Sequence, residues 1–252
     1  MKKLSKKNDE LYDQHYYQIQ GYGFGATDRQ DHKRIIELLR KYKTNRVLEI
    51  GVGLGILLQR IKAKKKVGTE TNEYAIKACK KLGISVIKND AEKGLPFKDS
   101  SFDAIIMNEV IEHFKKPKPV VLDCYRILAP YGKIVISTPA KSFFAHDLTE
   151  SHFSEMTQKE LKSLVEECGF KVLTQEVNGI TFLYPIIENF LYKPFRLLRY
   201  FFVKNKIKKT TPISMIDSVH GLADKTILKP LNRYRNFLLS IGQQQLILAE
   251  KQ

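Results

Sequence analysis

Residues 47–61, VLEIGVGLGILLQRI, decide the fold of this chain. An apolar run ends in three glycines at alternate positions, Gly51, Gly53 and Gly55, and the residues that follow have the apolar spacing of a helix. A strand, a glycine loop and a helix in this order let the backbone come close to a ligand. The dinucleotide fingerprint G-x-G-x-x-G needs its third glycine one residue later, so the loop is near to a nicotinamide site without matching it.

Strands and helices alternate on either side of this loop. Helical spacing is found at residues 30–43, 54–63, 72–83, 119–130 and 157–170. Strand-like segments lie at residues 46–50, 65–70, 84–90, 101–108, 132–139 and 171–177, with a last one at 243–251. Such alternation with short connections predicts an α/β fold: a doubly wound, mostly parallel seven-stranded sheet with helices on both faces. In these sheets, ligands bind beyond the carboxyl ends of the strands, where the strand order reverses.

The composition changes after about residue 180. Residues 181–252 contain 12 Lys and Arg but only 4 Asp and Glu, with bulky aromatic residues between them. A connection of this length normally has a function or a structure of its own. We therefore divide the chain into a helical N-terminal cap at 1–45, a Rossmann-like core at 46–180, a helical basic and aromatic insert at 181–242, and a last core strand at 243–252.

The whole chain of 252 residues carries a formal net charge of +16. A surface this basic attracts nucleic acid, acidic lipid headgroups or phosphorylated substrates, although a Lys-rich composition with no anionic partner is an equal alternative. The three cysteines are far apart and lie in predicted helices, which indicates buried thiols in a reducing compartment. Neither a signal peptide nor a membrane-spanning run is recognisable, so we expect a cytoplasmic protein.

Carboxylates stand at the ends of three predicted strands. Glu49 precedes Gly51 by two residues, where it would repel a pyrophosphate but hold a ligand that carries an ammonium group. Glu70 ends the second strand, where a carboxylate can accept both hydroxyls of a ribose. Asp90 ends the third strand and can accept a hydrogen bond from an adenine amino group, or alternatively cap a turn. The sequence therefore favours an adenosine ligand with a cationic group over a dinucleotide.

Five ordered blocks between residues 28 and 178 carry a family resemblance: VLEIGVGLG, the acidic Glu70, DAEKGLPF with SFDAIIMNEVIEHF, VLDCYRILAPYGKIVISTP, and HFSEMTQKELKSLVEECGF. Together they resemble the class I S-adenosylmethionine-dependent methyltransferases, in particular the type 11 branch that includes quinone-biosynthesis enzymes. The resemblance implies S-adenosylmethionine as the cofactor and makes the N-terminal segment a lid over it, with an ordinary docking segment as the alternative. It also implies the cofactor-binding residues Glu49, Gly51 and Gly53 at the methionine part, Glu70 and Thr71 at the ribose, Asp90 and Ala91 at the adenine, and Asn108 beside the sulfonium.

The resemblance points to two catalytic candidates, His113 and His152. In the quinone O-methyltransferases a Glu-x-x-Glu-His run is thought to hold a divalent cation, and Glu109, Glu112 and His113 reproduce it. Many relatives carry the same residues without a metal, so we expect no metal site and keep His113 as a general base or a structural residue. His152 lies before a helix that usually faces the acceptor. Asp103, at the entry to the fourth strand, is assigned a structural role.

The predicted function is methyl transfer to a small-molecule, lipid-linked or glycan acceptor, on oxygen. The alternatives are a nucleic-acid methyltransferase, an NAD-dependent oxidoreductase and an inactive cofactor-binding partner subunit. Nucleic acid is disfavoured because the segment after the fourth strand reads NEVIEH, without the Asn/Asp-Pro-Pro-aromatic run of amino-methylating enzymes. The insert at 181–242 is expected to contact an anionic membrane peripherally, to cover the acceptor, or to form a homodimer interface.

Overall fold

A computed structural model describes residues 30–141, 153–178 and 244–252 of the chain. The chain divides into two compact units, Met1–Val177 with Gln244–Gln252, and Asn178–Gln243. Most of the predicted N-terminal cap, the segment with His152, and the predicted insert at 181–242 lie outside the described residues. The sheet and the helices that cover it belong to the first unit.

The described helices and strands follow the predicted order closely. The helices are α1 (Gln30–Arg40), α2 (Ile56–Arg60), α3 (Glu73–Lys81), α4 (Pro117–Ile127) and α5 (Gln158–Glu167). The strands are β1 (Arg46–Ile50), β2 (Lys65–Glu70), β3 (Ser85–Lys88), β4 (Phe102–Asn108), β5 (Leu128–Pro139), β6 (Phe170–Asn178) and β7 (Gln244–Lys251). Helix α5 begins with a capping box: the Thr157 side chain accepts a hydrogen bond from the Glu160 N–H, and the Glu160 carboxylate accepts one from the Thr157 N–H.

Two boundaries differ from the sequence-based expectation. Helix α2 has only five residues, because left-handed Gly55 precedes it and the backbone turns extended at Ile61. Strand β5 begins four residues before the predicted start, at Leu128, whose extended backbone pairs with Phe102 of β4. In both places the apolar pattern alone would continue the helix further than the structure does.

The seven strands form one sheet in the order β3-β2-β1-β4-β5-β7-β6. Strands β3, β2, β1, β4 and β5 run parallel to one another, whereas β7 runs antiparallel to β5. The predicted mostly parallel, doubly wound α/β sheet is therefore confirmed. The strand order reverses between β1 and β4: the connection after β1 leads to β2 on one side, and the connection after β4 leads to β5 on the other. A reversal of this kind opens a crevice for a ligand at the carboxyl ends of the two strands.

Two apolar layers cover the sheet, one on each face. Alternate residues of β1 divide between them, with Val47 in one layer and Leu48 in the other. Helices α1, α2 and α3 cover the first face and α4 and α5 cover the second. The three cysteines are buried with free thiols, as predicted. No helix among the described residues is both long enough and apolar enough to cross a membrane.

Asp103 has the structural role predicted for it, at the edge of the sheet where the parallel strands begin. Its carboxylate accepts hydrogen bonds from the backbone N–H groups of Asn45 and Arg46 and forms a 2.6 Å ion pair with the Arg46 guanidinium. Burial acts to raise the pKa of Asp103, but these donors outweigh it and leave the pKa below its ordinary value. The side chain therefore fastens the start of β4 to the start of β1, away from the carboxyl ends.

Candidate cofactor site

The glycine loop is closed onto the neighbouring strand by backbone hydrogen bonds. The N–H groups of Gly51 and Val52 both donate to the carbonyl of Thr69 on β2, at 2.9 and 3.0 Å. This pairing turns the chain sharply after β1 and brings the loop beside the end of β2. The loop therefore lies at the carboxyl ends of β1 and β2, as the strand–loop–helix pattern predicts.

Gly53 and Gly55 serve different purposes, although the sequence pattern treats them alike. Both have left-handed backbones, with φ of 52° and 77°. A methyl group on Gly53 would have no atom within 4 Å, whereas one on Gly55 would lie 2.3 Å from Ile84 Cδ1 and 3.1 Å from Cys79 Sγ. Gly53 thus leaves space open at the site, and Gly55 allows the loop to pack tightly against α3 and the residue before β3.

Glu70 is held in place by the backbone around it. One carboxylate oxygen accepts from the Gly53 N–H at 3.0 Å, and the other accepts from the N–H groups of Thr71 and Asn72 at 2.7 and 3.0 Å. Thr71 is half-buried beside it, and Asn72 caps helix α3 by accepting from the Ala75 N–H. These donors orient the carboxylate between the glycine loop and α3. Oε1 also accepts from the Thr71 hydroxyl at 3.4 Å and is fully used, whereas Oε2 keeps lone-pair capacity for a ligand hydroxyl.

Glu49 is buried, with only 3% of its surface exposed. The backbone N–H of Leu58 donates to its carboxyl group, and Oε2 has no hydrogen-bond partner among the described residues. Burial, reinforced by the nearby charge of Glu70, raises the pKa of Glu49 well above its ordinary value, although the Leu58 donor partly opposes this. A buried acceptor without a partner is costly, which favours a ligand donor at this position.

Asn108 ends β4 and has a partly unsatisfied amide. Its Oδ1 is buried without a hydrogen-bond partner among the described residues. On the neighbouring strand Ser137 stands in register with it, fully buried, and within the described part of the chain its hydroxyl also lacks a partner. Two in-register residues of adjacent strands project from the same face, so these oxygens lie side by side.

Asp90 and Ala91 follow β3, as expected, but the Asp90 carboxylate is engaged locally. It accepts from the Glu92 N–H at 3.2 Å and pairs with Lys93, and in this way it caps the short 3-10 turn Ala91–Lys93. The turn-capping alternative is therefore observed. Ala91 is buried beside it. Whether Asp90 also contacts adenine stays a prediction.

The Glu109, Glu112 and His113 run does not form a metal site in the structure. The Glu112 carboxylate is buried and accepts from the Thr138 hydroxyl at 2.9 Å, while Glu109 accepts from the side chain of Gln244. Across residues 30–141, 153–178 and 244–252, no three His, Cys, Asp or Glu side chains come together to hold an ion. The two carboxylates instead connect the turn after β4 to β5 and β7.

The catalytic candidates differ in how far the structure describes them. His113 is half-buried at the end of the 3-10 turn Ile111–His113, directly after β4. His152 lies outside the described residues, so its contact with the acceptor stays a prediction. Ser137 and, on α1, His32 are among the buried polar residues that the sequence did not predict. A signal for Ser137 was present, since a polar residue interrupts the apolar run of β5 close to its carboxyl end.

The chain is similar in sequence to known methyltransferases. Residues 48–136 match the family model described as a methyltransferase domain. An uncharacterised protein of Methanocaldococcus jannaschii is 33% identical over 150 residues, which cover 56% of this chain and 72% of that protein. A protein of Mycolicibacterium smegmatis, named as a probable S-adenosylmethionine-dependent methyltransferase, is 31% identical over 133 residues, covering 50% of this chain and 52% of that protein. The chain therefore spans about half the length of the mycobacterial relative.

A solved structure shows the same fold. The phosphoethanolamine N-methyltransferase 2 of Haemonchus contortus, in complex with S-adenosylmethionine, superposes with a TM-score of 0.61 at 17% identity, covering 97% of this chain and 58% of that one. The chain belongs to the class I S-adenosylmethionine-dependent methyltransferases. S-adenosylmethionine is the cofactor of that family, so the cofactor prediction is confirmed. The alternative of an NAD-dependent oxidoreductase is rejected.

The site of this methyltransferase fits the cofactor on its own observations. Glu49 Oε2, buried without a partner among the described residues, can accept a hydrogen bond from the cofactor's ammonium group. The oriented carboxylate of Glu70 suits a ribose hydroxyl, and the open space at Gly53 allows the ligand to approach the backbone. We therefore predict that Glu49, the glycine loop and Glu70 bind different parts of the cofactor.

Gly53 and Gly55 give a matched test of whether the ligand approaches the loop at Gly53 while Gly55 serves packing. Gly53→Ala is expected to lower the affinity for S-adenosylhomocysteine while costing about 1–2 kcal/mol of stability, from backbone strain alone. Gly55→Ala adds overpacking of about 1–3 kcal/mol to the same strain, so its melting temperature falls further. Calorimetric binding and thermal unfolding of both variants measure the two effects. A Gly53→Ala variant that binds as tightly as the wild type would contradict ligand approach at this position.

Proposed function

We propose that this methyltransferase transfers a methyl group to a small-molecule, lipid-linked or glycan acceptor, on an oxygen atom. One observation carries the choice of oxygen: the adjacent Asn108 Oδ1 and Ser137 hydroxyl, neither with a hydrogen-bond partner among the described residues. A hydroxyl both donates and accepts hydrogen bonds, so it satisfies the two groups together. They stand at the carboxyl ends of β4 and β5, next to the cofactor residues of β1 and β2.

S-adenosylmethionine, when bound, supplies a methyl group that its positively charged sulfur makes electrophilic. The chain contributes alignment: Glu49 holds the ammonium group, Glu70 holds the ribose, and Asn108 and Ser137 orient the acceptor oxygen. A hydroxyl must also lose its proton, and His113, half-buried directly after β4, is the proposed base. His152 is the second candidate for this role.

The decisive experiment supplies radiolabelled S-adenosylmethionine and the protein to a total cell extract, then separates lipid, nucleic-acid and aqueous fractions. We expect label in the lipid or aqueous small-molecule fraction, with the methyl group on oxygen by mass spectrometry. The Glu70→Ala variant is the control for transfer by other enzymes in the extract. Label confined to nucleic acid would replace our proposal by the nucleic-acid alternative, and label on nitrogen would overturn the choice of oxygen.

We further propose a cytoplasmic protein that contacts membranes peripherally through the insert at 181–242. The support is compositional, because this segment combines its excess of Lys and Arg with bulky aromatic residues. Sedimentation with phosphatidylglycerol vesicles, against phosphatidylcholine vesicles, tests this contact. Equal distribution between the two vesicle types would contradict it, and analytical ultracentrifugation tests the alternative role of the insert as a homodimer interface.

A further inference from the structure

The carboxyl group of Glu49 is buried, and the residues described around it satisfy only part of its hydrogen-bonding capacity. It faces the same side of the sheet as helices α1, α2 and α3, and α2 supplies its one described donor, the Leu58 N–H. None of the described Lys or Arg side chains forms an ion pair with it, and Oε2 has no described hydrogen-bond partner. A negative charge at this place would therefore be poorly compensated.

The titratable groups described around Glu49 do not supply a positive charge that would offset a negative charge on its carboxyl group. Glu70 on β2 is itself acidic and disfavours a second negative charge. Cys79 on α3 is a neutral thiol, since burial, with Glu70 and Glu49 nearby, raises its pKa to about 12. The buried His32 of helix α1 is not among the groups that shift the pKa of Glu49. In β2 and β4 the residues in register with Glu49 are Gly68 and Ile106, and neither can ionise.

Neutralisation is the usual response of a buried carboxyl group that has no cation beside it. Burial is the largest cause that holds the pKa of Glu49 above its ordinary value, and the charge of Glu70 acts in the same direction. An ammonium group that binds at Oε2 would lower the pKa of Glu49 again, because a cation in contact with a carboxylate favours its charged form.

We propose that Glu49 is protonated in the cofactor-free protein and releases its proton to solvent when the ammonium group of the cofactor reaches Oε2. The ligand keeps its own ammonium protons, and the complex contains a carboxylate facing an ammonium group, so each binding event releases one proton. The proposal rests on the assignment of S-adenosylmethionine to this site. Cofactor binding then strengthens as the pH rises, by up to about tenfold per pH unit while the free protein keeps the proton.

Isothermal titration of the full chain with S-adenosylhomocysteine counts the proton directly. The same titration at neutral pH is repeated in phosphate and in Tris, whose ionisation enthalpies differ widely. We expect a dependence of the observed enthalpy on the buffer that corresponds to about one proton released per ligand bound. The matched control ligand is methylthioadenosine, which lacks the amino-acid part and should release none.

The variant Glu49→Gln, neutral at every pH, should bind S-adenosylhomocysteine more weakly and without proton release. Tight binding of this ligand to the wild type with the same enthalpy in both buffers would overturn the proposal but leave the cofactor assignment intact. Equal proton release with methylthioadenosine would overturn it as well, because the proton would then come from another group. Failure of the wild type to bind S-adenosylhomocysteine would remove the assignment on which the proposal rests.

Discussion

Replacement of Glu70 by Ala is expected to lower the affinity for S-adenosylhomocysteine by about one to two orders of magnitude. The ribose would lose its hydrogen bond to Oε2, and a bond to a charged group contributes about 1.5–3 kcal/mol, which is about one to two orders of magnitude. The loss also removes the acceptor of three backbone N–H groups, those of Gly53, Thr71 and Asn72. The glycine loop would therefore be less well oriented. Isothermal titration of the variant against the wild type measures the change.

Asp103→Asn provides the matched control. The Asp103 carboxylate also accepts hydrogen bonds from backbone N–H groups, but it lies where β1 and β4 begin. We expect its loss to lower the melting temperature and to leave the affinity for S-adenosylhomocysteine unchanged. If Glu70→Ala binds the ligand as the wild type does, or if Asp103→Asn weakens binding equally, the site is not at the carboxyl ends of β1 and β2.

The second large effect is expected for Glu49→Gln, which should bind the cofactor more weakly yet unfold at a higher temperature than the wild type. The affinity falls by about tenfold to a hundredfold because a charged hydrogen bond to the ammonium group is lost. Stability rises because the free protein no longer has to keep a carboxyl group protonated in its interior. In a domain of this size, 1 kcal/mol corresponds to about 2–4 °C in melting temperature.

The direction in which the stability of the wild type changes with pH follows from the raised pKa of Glu49. Burial raises the pKa of Glu49 in the folded protein, so the unfolded chain loses this proton first as the pH increases. The stability that Glu49 contributes is complete below its ordinary pKa and is lost as the pH rises towards the folded-state value. The wild type should thus lose up to about 1.4 kcal/mol per pH unit in this window relative to Glu49→Gln.

Thermal unfolding of the cofactor-free proteins across this pH range tests the prediction. Glu70→Gln is the comparison variant, because Glu70 is half-buried and already has three backbone donors. We expect no comparable gain from that change. A wild type whose stability follows that of Glu49→Gln at every pH would show that Glu49 is charged in the free protein, contrary to our expectation.

The amino-acid sequence alone predicts the bounds of β1 and β2 and the residues that meet at their carboxyl ends. The strands predicted at 46–50 and 65–70 have those same bounds in the structure, and Glu49, Gly53 and Glu70 come together at their ends. These features are local: apolar runs, glycine spacing and an acid at a strand end depend on neighbouring residues of the chain. The family resemblance built on them is confirmed by the comparisons.

The tertiary structure decided what depends on distant residues. Strand β7 enters the sheet antiparallel to β5, a pairing between segments that lie far apart in the chain and that no local pattern specifies. Gly53 and Gly55 look alike in the sequence, but only the second meets Ile84. Whether an oxygen is left without a partner, as in Glu49 and Ser137 within the described part of the chain, depends on every surrounding element at once. The sequence thus determined which residues reach the site, and packing determined which of them keep an atom available to a ligand.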